Sequence, residues 1–269
     1  MRSRQPNDAP ASGISDVVAP LILAADSWLV VDGTALTLNL HRGRFLAAVA
    51  SVIESGDYPD LRPGLREEAG SFWDATIAEI PSEGEWFPRV QLQSVEGVVS
   101  FASLRRRSPD RTRSAVVASL RGPDPRTQPT LKGPDLAAML EIRRTVQELG
   151  ADEAIILSPE GYVVEGAYSA LVWWRGSILC TPSPELARID SVTSKALLSL
   201  AAALGTELHT ESVTPSELDG TELWALSALH GLRIVTRWID GPHLAELPGR
   251  LTLWRSRLEA LRRPLNSFT

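Results

Sequence analysis

Residues 132–182 of this 269-residue chain read KGPDLAAMLEIRRTVQELGADEAIILSPEGYVVEGAYSALVWWRGSILCTP. The first part has apolar residues at helical spacing, among them Leu136 and Ile142, and it stops at Gly150. We therefore predict a helix with Asp135 as its N-terminal cap. The remainder breaks into β-branched and apolar runs divided by Glu-Gly and Arg-Gly pairs, which predicts short strands joined by turns.

This stretch begins with a residue type that the chain otherwise avoids. Only Lys132 and Lys195 are lysines, and the remaining basic side chains, histidines aside, are arginines. A lysine amine can lose its proton and act as a nucleophile, whereas a guanidinium stays charged. Lys195 falls inside a predicted helix and is interpreted as a solvated surface residue. Lys132 precedes a helix start, where a cation is disfavoured, so it is the candidate for chemistry; a solvated lysine is the alternative.

The segment around the first lysine divides the chain. Residues 121–134, RGPDPRTQPTLKGP, hold four prolines and two glycines. Proline removes backbone donors and biases its predecessor toward extended structure. We predict a linker at 121–131 between an N-terminal domain, 17–120, and a C-terminal domain, 132–269. The polar start of the chain, 1–16, is predicted to be a disordered leader.

Elsewhere the pattern predicts more strands than helices. Strands are predicted over VVAPLILAA, on either side of Asp32-Gly33 within 27–40, over three runs between 86 and 120, and twice within ELWALSALHGLRIVTRWI. Helices are predicted from His41, over 66–80, from Ser191 and over 251–265. Because the two kinds of element do not alternate strictly, we predict an α+β fold. Four tryptophans at strand positions are expected in the core or at a dimer interface: Trp173, Trp174, Trp224 and Trp238.

Composition argues against several classes of protein. A net charge of −6 without a basic, aromatic-interleaved block argues against a nucleic-acid binder. VVAPLILAA is too short for a membrane span and contains proline. The single cysteine, Cys180, excludes an internal disulfide, so a reducing cytoplasm is the expected setting. His209 and His243 lack partners at metal-ligand spacing, and we expect no metal.

Several features in order carry a family resemblance: Lys132 before a helix, Gly150-Ala151-Asp152-Glu153-Ala154 after it, then Gly161-Tyr162-Val163 and Glu165-Gly166. They resemble the class IV, or fold-type IV, aminotransferases. These pyridoxal-5′-phosphate (PLP) enzymes include branched-chain and D-amino-acid aminotransferases and 4-amino-4-deoxychorismate lyase. The resemblance implies a small N-terminal α/β domain, a larger β-rich C-terminal domain with helices, PLP between them, and a homodimer.

The resemblance also implies roles for particular residues. Lys132 resembles the lysine that forms a Schiff base with PLP and then moves the α-proton of the substrate. Glu165 resembles the acid that faces the ring nitrogen of PLP. Ser191-Val192-Thr193, at a helix start, resembles a phosphate-binding turn, with an ordinary helix cap as the alternative. Arg44, in the pair His41-x-x-Arg44, resembles a second phosphate contact.

Other positions match the family less closely. A loop that closes over the phosphate in the family contains Ser227 and Ala228 here as candidate contacts, with His230 as a weaker one. Ala228 stands where branched-chain enzymes have threonine, and Ser191 replaces the usual glycine. A tyrosine expected one turn after the lysine is missing. The usual pocket-lining stretch near the start of the chain is replaced by LILAADSWLVVDG, residues 21–33.

The reaction that the resemblance implies is transfer of an amino group from an amino acid to a 2-oxo acid. The alternatives are 4-amino-4-deoxychorismate lyase activity, which releases pyruvate and gives 4-aminobenzoate, and a non-catalytic relative of the fold. The departures in the pocket motivate the last alternative. The retained Lys132 and Glu165 argue against it.

Overall fold

The computed structural model describes residues 19–58 and 61–268. The predicted leader, 1–16, lies outside them. The described residues form five α-helices: α1 (Leu38–Ser55), α2 (Leu65–Ala78), α3 (Leu136–Gln147), α4 (Val192–Ala203) and α5 (Arg250–Glu259). They also form the strands β1 (Leu21–Ser27), β2 (Val30–Val31), β3 (Thr34–Ala35), β4 (Glu85–Trp86), β5 (Arg89–Val95), β6 (Val98–Leu104), β7 (Ser114–Ser119), β8 (Glu153–Leu157), β9 (Val163–Gly166), β10 (Ala170–Arg175), β11 (Ile178–Pro182), β12 (Leu208–Glu211), β13 (Glu222–Ser227), β14 (Gly231–Ile239) and β15 (Arg263–Pro264). None of the helices in these ranges is long and apolar enough to cross a membrane.

The first part of the chain forms an antiparallel sheet in the order β1-β5-β6, called the small sheet below, with α1 packed against β1. Its core is aromatic: Trp28, Trp73 and Phe45 are almost completely buried, and the rings of the two tryptophans lie 4.5 Å apart. These side chains come from the end of β1, from α2 and from α1. Burial of their large apolar surfaces therefore holds both helices to the sheet.

A larger mixed sheet has eight strands in the order β12-β11-β10-β13-β14-β7-β8-β9. Successive residues of a strand point to opposite faces, so β10 contributes to two separate cores. Trp174 packs with Trp224 and Trp254 on the face covered by α4 and α5, while Trp173 packs with Trp238 on the other face. The core positions predicted for the four strand tryptophans are therefore confirmed.

Three strand pairings cross the predicted division of the chain. β7 precedes the linker in sequence, yet it pairs in parallel with β14 and β8 in the large sheet. β15 lies in the last part of the chain and pairs with β3, in a separate four-stranded sheet of order β15-β3-β2-β4. Neither predicted domain therefore forms its sheets from its own strands alone. The domain limits 17–120 and 132–269 stay a prediction.

Most predicted elements form where the sequence pattern indicates, with shifts of a few residues. The prediction is wrong at Leu38–Leu40, which begins α1 instead of ending a strand. Thr37, with a φ of 45°, turns the chain immediately before this helix. The prediction is also wrong at the last helix, which ends at Glu259 rather than Leu265, because Arg263–Pro264 pairs as a strand.

Asp135 precedes α3 as predicted, but its side chain does not cap the helix. Its carboxylate instead accepts hydrogen bonds from the backbone N–H groups of Thr127 and Gln128, each 2.9 Å long. These bonds fold the proline-rich segment back onto the start of α3. The proline-rich segment is therefore hydrogen-bonded to the residue before α3 and is not a free linker.

The backbone at Lys132 is attached to β1. The N–H of Ala25 donates to the carbonyl oxygen of Lys132 at 2.7 Å. The next residue, Gly133, has a φ of 147°, and a Cβ there would lie 2.7 Å from the Cα of Ala24. Only glycine fits this close approach. Lys132 is thereby fixed where the small sheet meets the large one.

Gly133→Ala is expected to destabilise the protein by about 2–4 kcal/mol, because the added methyl meets backbone atoms and the φ disfavours any side chain. Gly122→Ala is the matched control: Gly122 also has a positive φ, 106°, but no atom lies within 4 Å of the added Cβ. Free energies of unfolding from urea titration compare the two variants. Equal losses for both would contradict the close-packing argument.

Candidate functional site

One cleft between the small and large sheets contains the predicted site residues. It encloses about 750 Å³, including solvent at its mouth. Its wall includes Lys132, Glu165, Arg44, Ser191, Val192, Thr193, Ser227 and Ala228. These residues come from α1, the segment before α3, the end of β9, the start of α4 and the turn after β13. Five separate parts of the chain therefore converge, and the cleft is the candidate functional site.

The Lys132 side chain is half-buried in this cleft, and its amine makes no hydrogen bond or ion pair with any described residue. Burial, and next the Arg44 guanidinium, lower the pKa of Lys132 to about 8, against the attraction of Asp26. An amine with this pKa is partly neutral near pH 7–8 and can act as a nucleophile or a base. Lys195, by contrast, is exposed and pairs with Asp190 at 2.5 Å.

Asp26, which the sequence analysis did not single out, organises the α1 side of the cleft. It is fully buried in β1, and its carboxylate lies 2.7 Å from both His41 Nδ1 and Arg44 Nε. Burial acts to raise the pKa of Asp26, but Arg44 and His41 outweigh it and bring the pKa well below its ordinary value. The His41-x-x-Arg44 spacing thus places both side chains on one acid. An aspartate within an apolar run was the only sequence signal for it.

Glu165 lies on the large-sheet side of the cleft and is 5% exposed. Its Oε1 accepts hydrogen bonds from Arg126 Nη1 and, at 3.1 Å, from the Ile189 N–H. Arg126 also donates to Asp124, from Nε at 2.9 Å and from Nη2 at 2.7 Å. Burial raises the pKa of Glu165 to about 7, although Arg126 and the Ile189 N–H act to lower it. Sequence analysis missed Arg126, because an arginine in a proline-rich segment has no distinguishing pattern.

The start of α4 brings a helix N-terminus to the cleft. Ser191 is its N-cap, and its Oγ accepts a hydrogen bond from the Ser194 N–H at 3.2 Å. Val192 and Thr193 are buried in the first turn. The first N–H groups of a helix lack intrahelical acceptors, and together with the helix dipole they favour an anion. The helix-cap interpretation of Ser191 is confirmed, and its phosphate role stays a prediction.

The turn after β13 contributes Ser227 and Ala228 to the cleft wall. Ser227 Oγ accepts a hydrogen bond from the His230 N–H at 3.2 Å, which closes the turn. The His230 ring lies against the loop before β7, where its Nδ1 accepts from the Thr112 N–H at 3.2 Å. Burial, and then the neighbouring arginines, lower the pKa of His230 to about 4. The His230 side chain is therefore a neutral acceptor for a loop.

Sequence analysis missed two further side chains near the amine. Arg89 lies opposite Ser27 in the β1–β5 pairing, is half-buried, and forms no ion pair with any described residue. Its charge contributes to the lowered pKa of Lys132. Tyr168 lines the cleft three residues after Glu165. Neither position carries a local signal, because both act through neighbours from other elements.

A sequence model of the family described as amino-transferase class IV matches residues 24–238, well over half of the chain. This chain belongs to the class IV aminotransferase family. The resemblance inferred from the residues between Lys132 and Gly166 is thereby confirmed. As a class IV aminotransferase family member, the chain is a PLP-dependent enzyme.

Individual proteins resemble this family member less closely. A branched-chain-amino-acid aminotransferase of Pseudomonas aeruginosa is 32% identical over 92 residues, which are 34% of this chain and 29% of that protein. A hypothetical aminotransferase from Mycobacterium tuberculosis in a PLP-bound form has a TM-score of 0.67 at 20% identity, covering 88% of this chain and 87% of that one. A putative 4-amino-4-deoxychorismate lyase from Legionella pneumophila reaches 0.71 at 15% identity, covering 87% and 90%. These structures show that the fold is that of fold-type IV enzymes.

The residues of the cleft fit PLP by their chemistry. Lys132 offers an unpaired amine for the cofactor's aldehyde, the α4 N-terminus offers N–H donors for its phosphate, and Glu165 offers a buried carboxylate for its ring nitrogen. When bound, PLP supplies an acceptor for the electrons released at the substrate carbon. No group of three or more His, Cys, Asp and Glu within residues 19–58 and 61–268 is arranged to hold a metal ion.

The two lysines allow a direct test of the electrostatics at this site. Acetic anhydride reacts with the neutral form of an amine, so labelling of Lys132 in cofactor-free protein is expected to rise with pH and to level off above its pKa of about 8. Mass spectrometry of the separate peptides gives the labelling rate of each lysine. In Lys132→Arg the Lys195 label alone is expected to remain. A midpoint at the ordinary lysine value of 10.5 would show that the cleft does not lower this pKa.

Proposed function

We propose that this class IV family member is an aminotransferase that moves an amino group between an amino acid and a 2-oxo acid. The observation that carries the proposal is the Lys132 amine, which has no partner in the described part of the chain and lies in a cleft that also contains a helix N-terminus and a buried carboxylate. These three groups match the three polar parts of PLP. Several expectations stay predictions: that the protein is a homodimer, that it is cytoplasmic, that its substrates are small molecules, and that it binds neither nucleic acid nor a membrane.

In this proposal Lys132 holds the cofactor and moves the substrate proton. A base works best when its pKa is close to the operating pH, and a value of about 8 meets that condition. Asp26 and Arg44 oppose each other in setting this value, since one raises the pKa and the other lowers it. The amine is therefore available both to accept a proton at Nζ and to return it.

Glu165 would hold the ring nitrogen of PLP through one of its two oxygens. Oε1 is used by Arg126 and the Ile189 N–H, whereas Oε2 accepts no hydrogen bond from any described residue. Burial raises the pKa of Glu165 to about 7, while Arg126 and the Ile189 N–H orient the carboxylate and act in the opposite direction. An ionised Oε2 stabilises a proton on the ring nitrogen, which increases the electron demand of the cofactor.

Arg44 and the start of α4 receive the phosphate. Asp26 binds Nε and Nη2 of Arg44 at 2.7 and 2.8 Å, which fixes the plane of the guanidinium. Arg44 Nη1 donates to the Asp190 carbonyl at 3.0 Å, one residue before the N-cap of α4. Guanidinium and helix N-terminus are therefore adjacent, and both attract an anion. Ser227 and Ala228 line the same cleft and stay predicted phosphate contacts.

Arg89, which is half-buried and has no ion-pair partner among residues 19–58 and 61–268, supports an acidic co-substrate. A desolvated cation without a protein partner is unfavourable until an anion binds it. Arg89 is close enough to Lys132 to affect the pKa of the amine. A carboxylate of the amino acid or 2-oxo acid is the anion that this position suits.

The reaction is tested with PLP-loaded protein, a panel of amino acids and 2-oxoglutarate, with glutamate formation as the readout. We expect glutamate formation that depends on the amino acid and falls by at least about 100-fold in Lys132→Ala, which lacks the base. The same preparation is incubated with 4-amino-4-deoxychorismate while pyruvate is measured. Pyruvate release without glutamate formation would identify the lyase alternative. Absence of both reactions would favour a non-catalytic relative.

The site of cofactor attachment is a separate prediction. Borohydride reduction of PLP-loaded protein is expected to leave a pyridoxyl group on Lys132, because its amine is partly neutral and lies in the cleft. Peptide mass spectrometry locates the group. Lys195→Arg is the matched control and should keep the group on Lys132, whereas Lys132→Arg should lose it. A pyridoxyl group on Lys195 alone would remove Lys132 from the proposed reaction.

A further inference from the structure

The short loop between β9 and β10 carries Tyr168 into the cleft. This side chain is half-buried, and its hydroxyl makes no hydrogen bond with any described residue. A phenol hydroxyl that no described residue uses can serve as a donor or an acceptor for a ligand in the cleft. Neither the proton steps nor the phosphate contacts proposed above involve it.

A buried acid fixes the loop that presents Tyr168. Glu153 Oε1 accepts a hydrogen bond from the Tyr168 N–H at 3.2 Å, and Oε2 accepts from Ser169 Oγ at 3.1 Å. Arg233 lies 3.6 Å from the same carboxylate, and both side chains of this pair are buried. Glycine suits position 166 in this turn, because a Cβ there would collide with Ser169 Oγ. The loop is therefore held in one conformation with the phenol in the cleft wall.

A cation covers the Tyr168 ring. The Arg143 guanidinium of α3 lies 5.4 Å from the ring centroid, and its Nε donates to the Asp152 carbonyl at 3.0 Å. The two terminal nitrogens of Arg143 make no hydrogen bond with any described residue. Burial raises the pKa of Tyr168, with Arg143 and Arg89 acting against it, so the phenol is a neutral donor at pH 7. Glu153 also faces the ring, but Arg233 offsets its charge.

We propose that Tyr168 and Arg143 form a subsite that binds a carboxylate of the substrate and thereby selects the substrate. The proposal rests on the proposed function, because amino acids and 2-oxo acids all carry a carboxylate. The phenol supplies one donor, and the terminal nitrogens of Arg143 supply further donors together with positive charge. A carboxylate can accept all of these bonds, whereas a neutral group of the same shape gains nothing from the charge.

Glutarate is the probe, because it has two carboxylates and no group that reacts with PLP. Its Kd for PLP-loaded protein is measured by isothermal titration calorimetry, without turnover. Tyr168→Phe is expected to raise the Kd about tenfold or more, the effect of losing one hydrogen bond to a charged group. Tyr162→Phe is the matched control: Tyr162 is half-buried in the turn before β9 and does not line the cleft, so its variant should keep the wild-type Kd.

Arg143→Gln tests the charge of the subsite. It should weaken glutarate at least as much as Tyr168→Phe, while the neutral diamide of glutaric acid binds this variant and the wild type equally. Arg144→Gln is the control on the same helix, since Arg144 is exposed and pairs with Glu141 at 3.7 Å. If loss of the Arg143–Asp152 bond prevents folding, Tyr168→Phe, which removes one oxygen atom, still tests the subsite.

Equal glutarate affinity for wild type and Tyr168→Phe overturns the subsite, as does an equal loss in Tyr162→Phe or the absence of glutarate binding by the wild type. These outcomes are distinct from those for the reaction. Active amino transfer with unchanged affinity in Tyr168→Phe refutes the subsite alone. Glutarate binding that depends on Tyr168, in a protein without amino transfer, supports the subsite and refutes the proposed reaction.

Discussion

The hydrogen bond from the Ala25 N–H to the Lys132 carbonyl, 2.7 Å long, is the contact on which the site depends. It joins the edge strand of the small sheet to the segment that leads into the large one. Gly133 permits the contact because it has no Cβ. Asp26 follows Ala25 directly and binds Arg44, so the strand that fixes the lysine also carries the charges that act on its amine. One strand, β1, therefore both positions Lys132 and affects the reactivity of its amine.

The charges that support this amine are paired within the protein. Asp26 lies against Arg44, and Glu165 lies against Arg126, and each pair is largely buried. Removing one member of such a pair leaves an uncompensated buried charge at a cost of about 3–5 kcal/mol. The Lys132 amine is an exception, since it has no ion-pair partner among the described residues. Folding thus fixes the supporting charges and leaves the Lys132 amine free to react with a ligand.

The residues that sequence analysis identified each belong to a local pattern. Lys132 precedes a helix, Glu165 belongs to a Glu-Gly pair at a strand end, and Ser191–Thr193 begins an apolar helix. Asp26 and Arg126 were missed because their partners come from other elements: Arg126 meets an acid 39 residues away. The same limit applies to the fold. The β-branched pattern predicted β7 as a strand. It could not predict that β7 pairs with β14, because β14 lies far along the chain from β7.

The two ends of the cleft are built from different materials. The end proposed for the phosphate combines the Arg44 guanidinium with main-chain N–H groups of α4, and any sequence with a suitable cap supplies those N–H groups. The other end relies on side chains: Tyr168 in a loop lines the cleft, and Arg143 in α3 covers its ring. Main-chain donors survive substitution, whereas a side-chain subsite changes with a single residue. The substrate of this chain is to be sought in its own side chains at that second end, rather than in what its relatives accept.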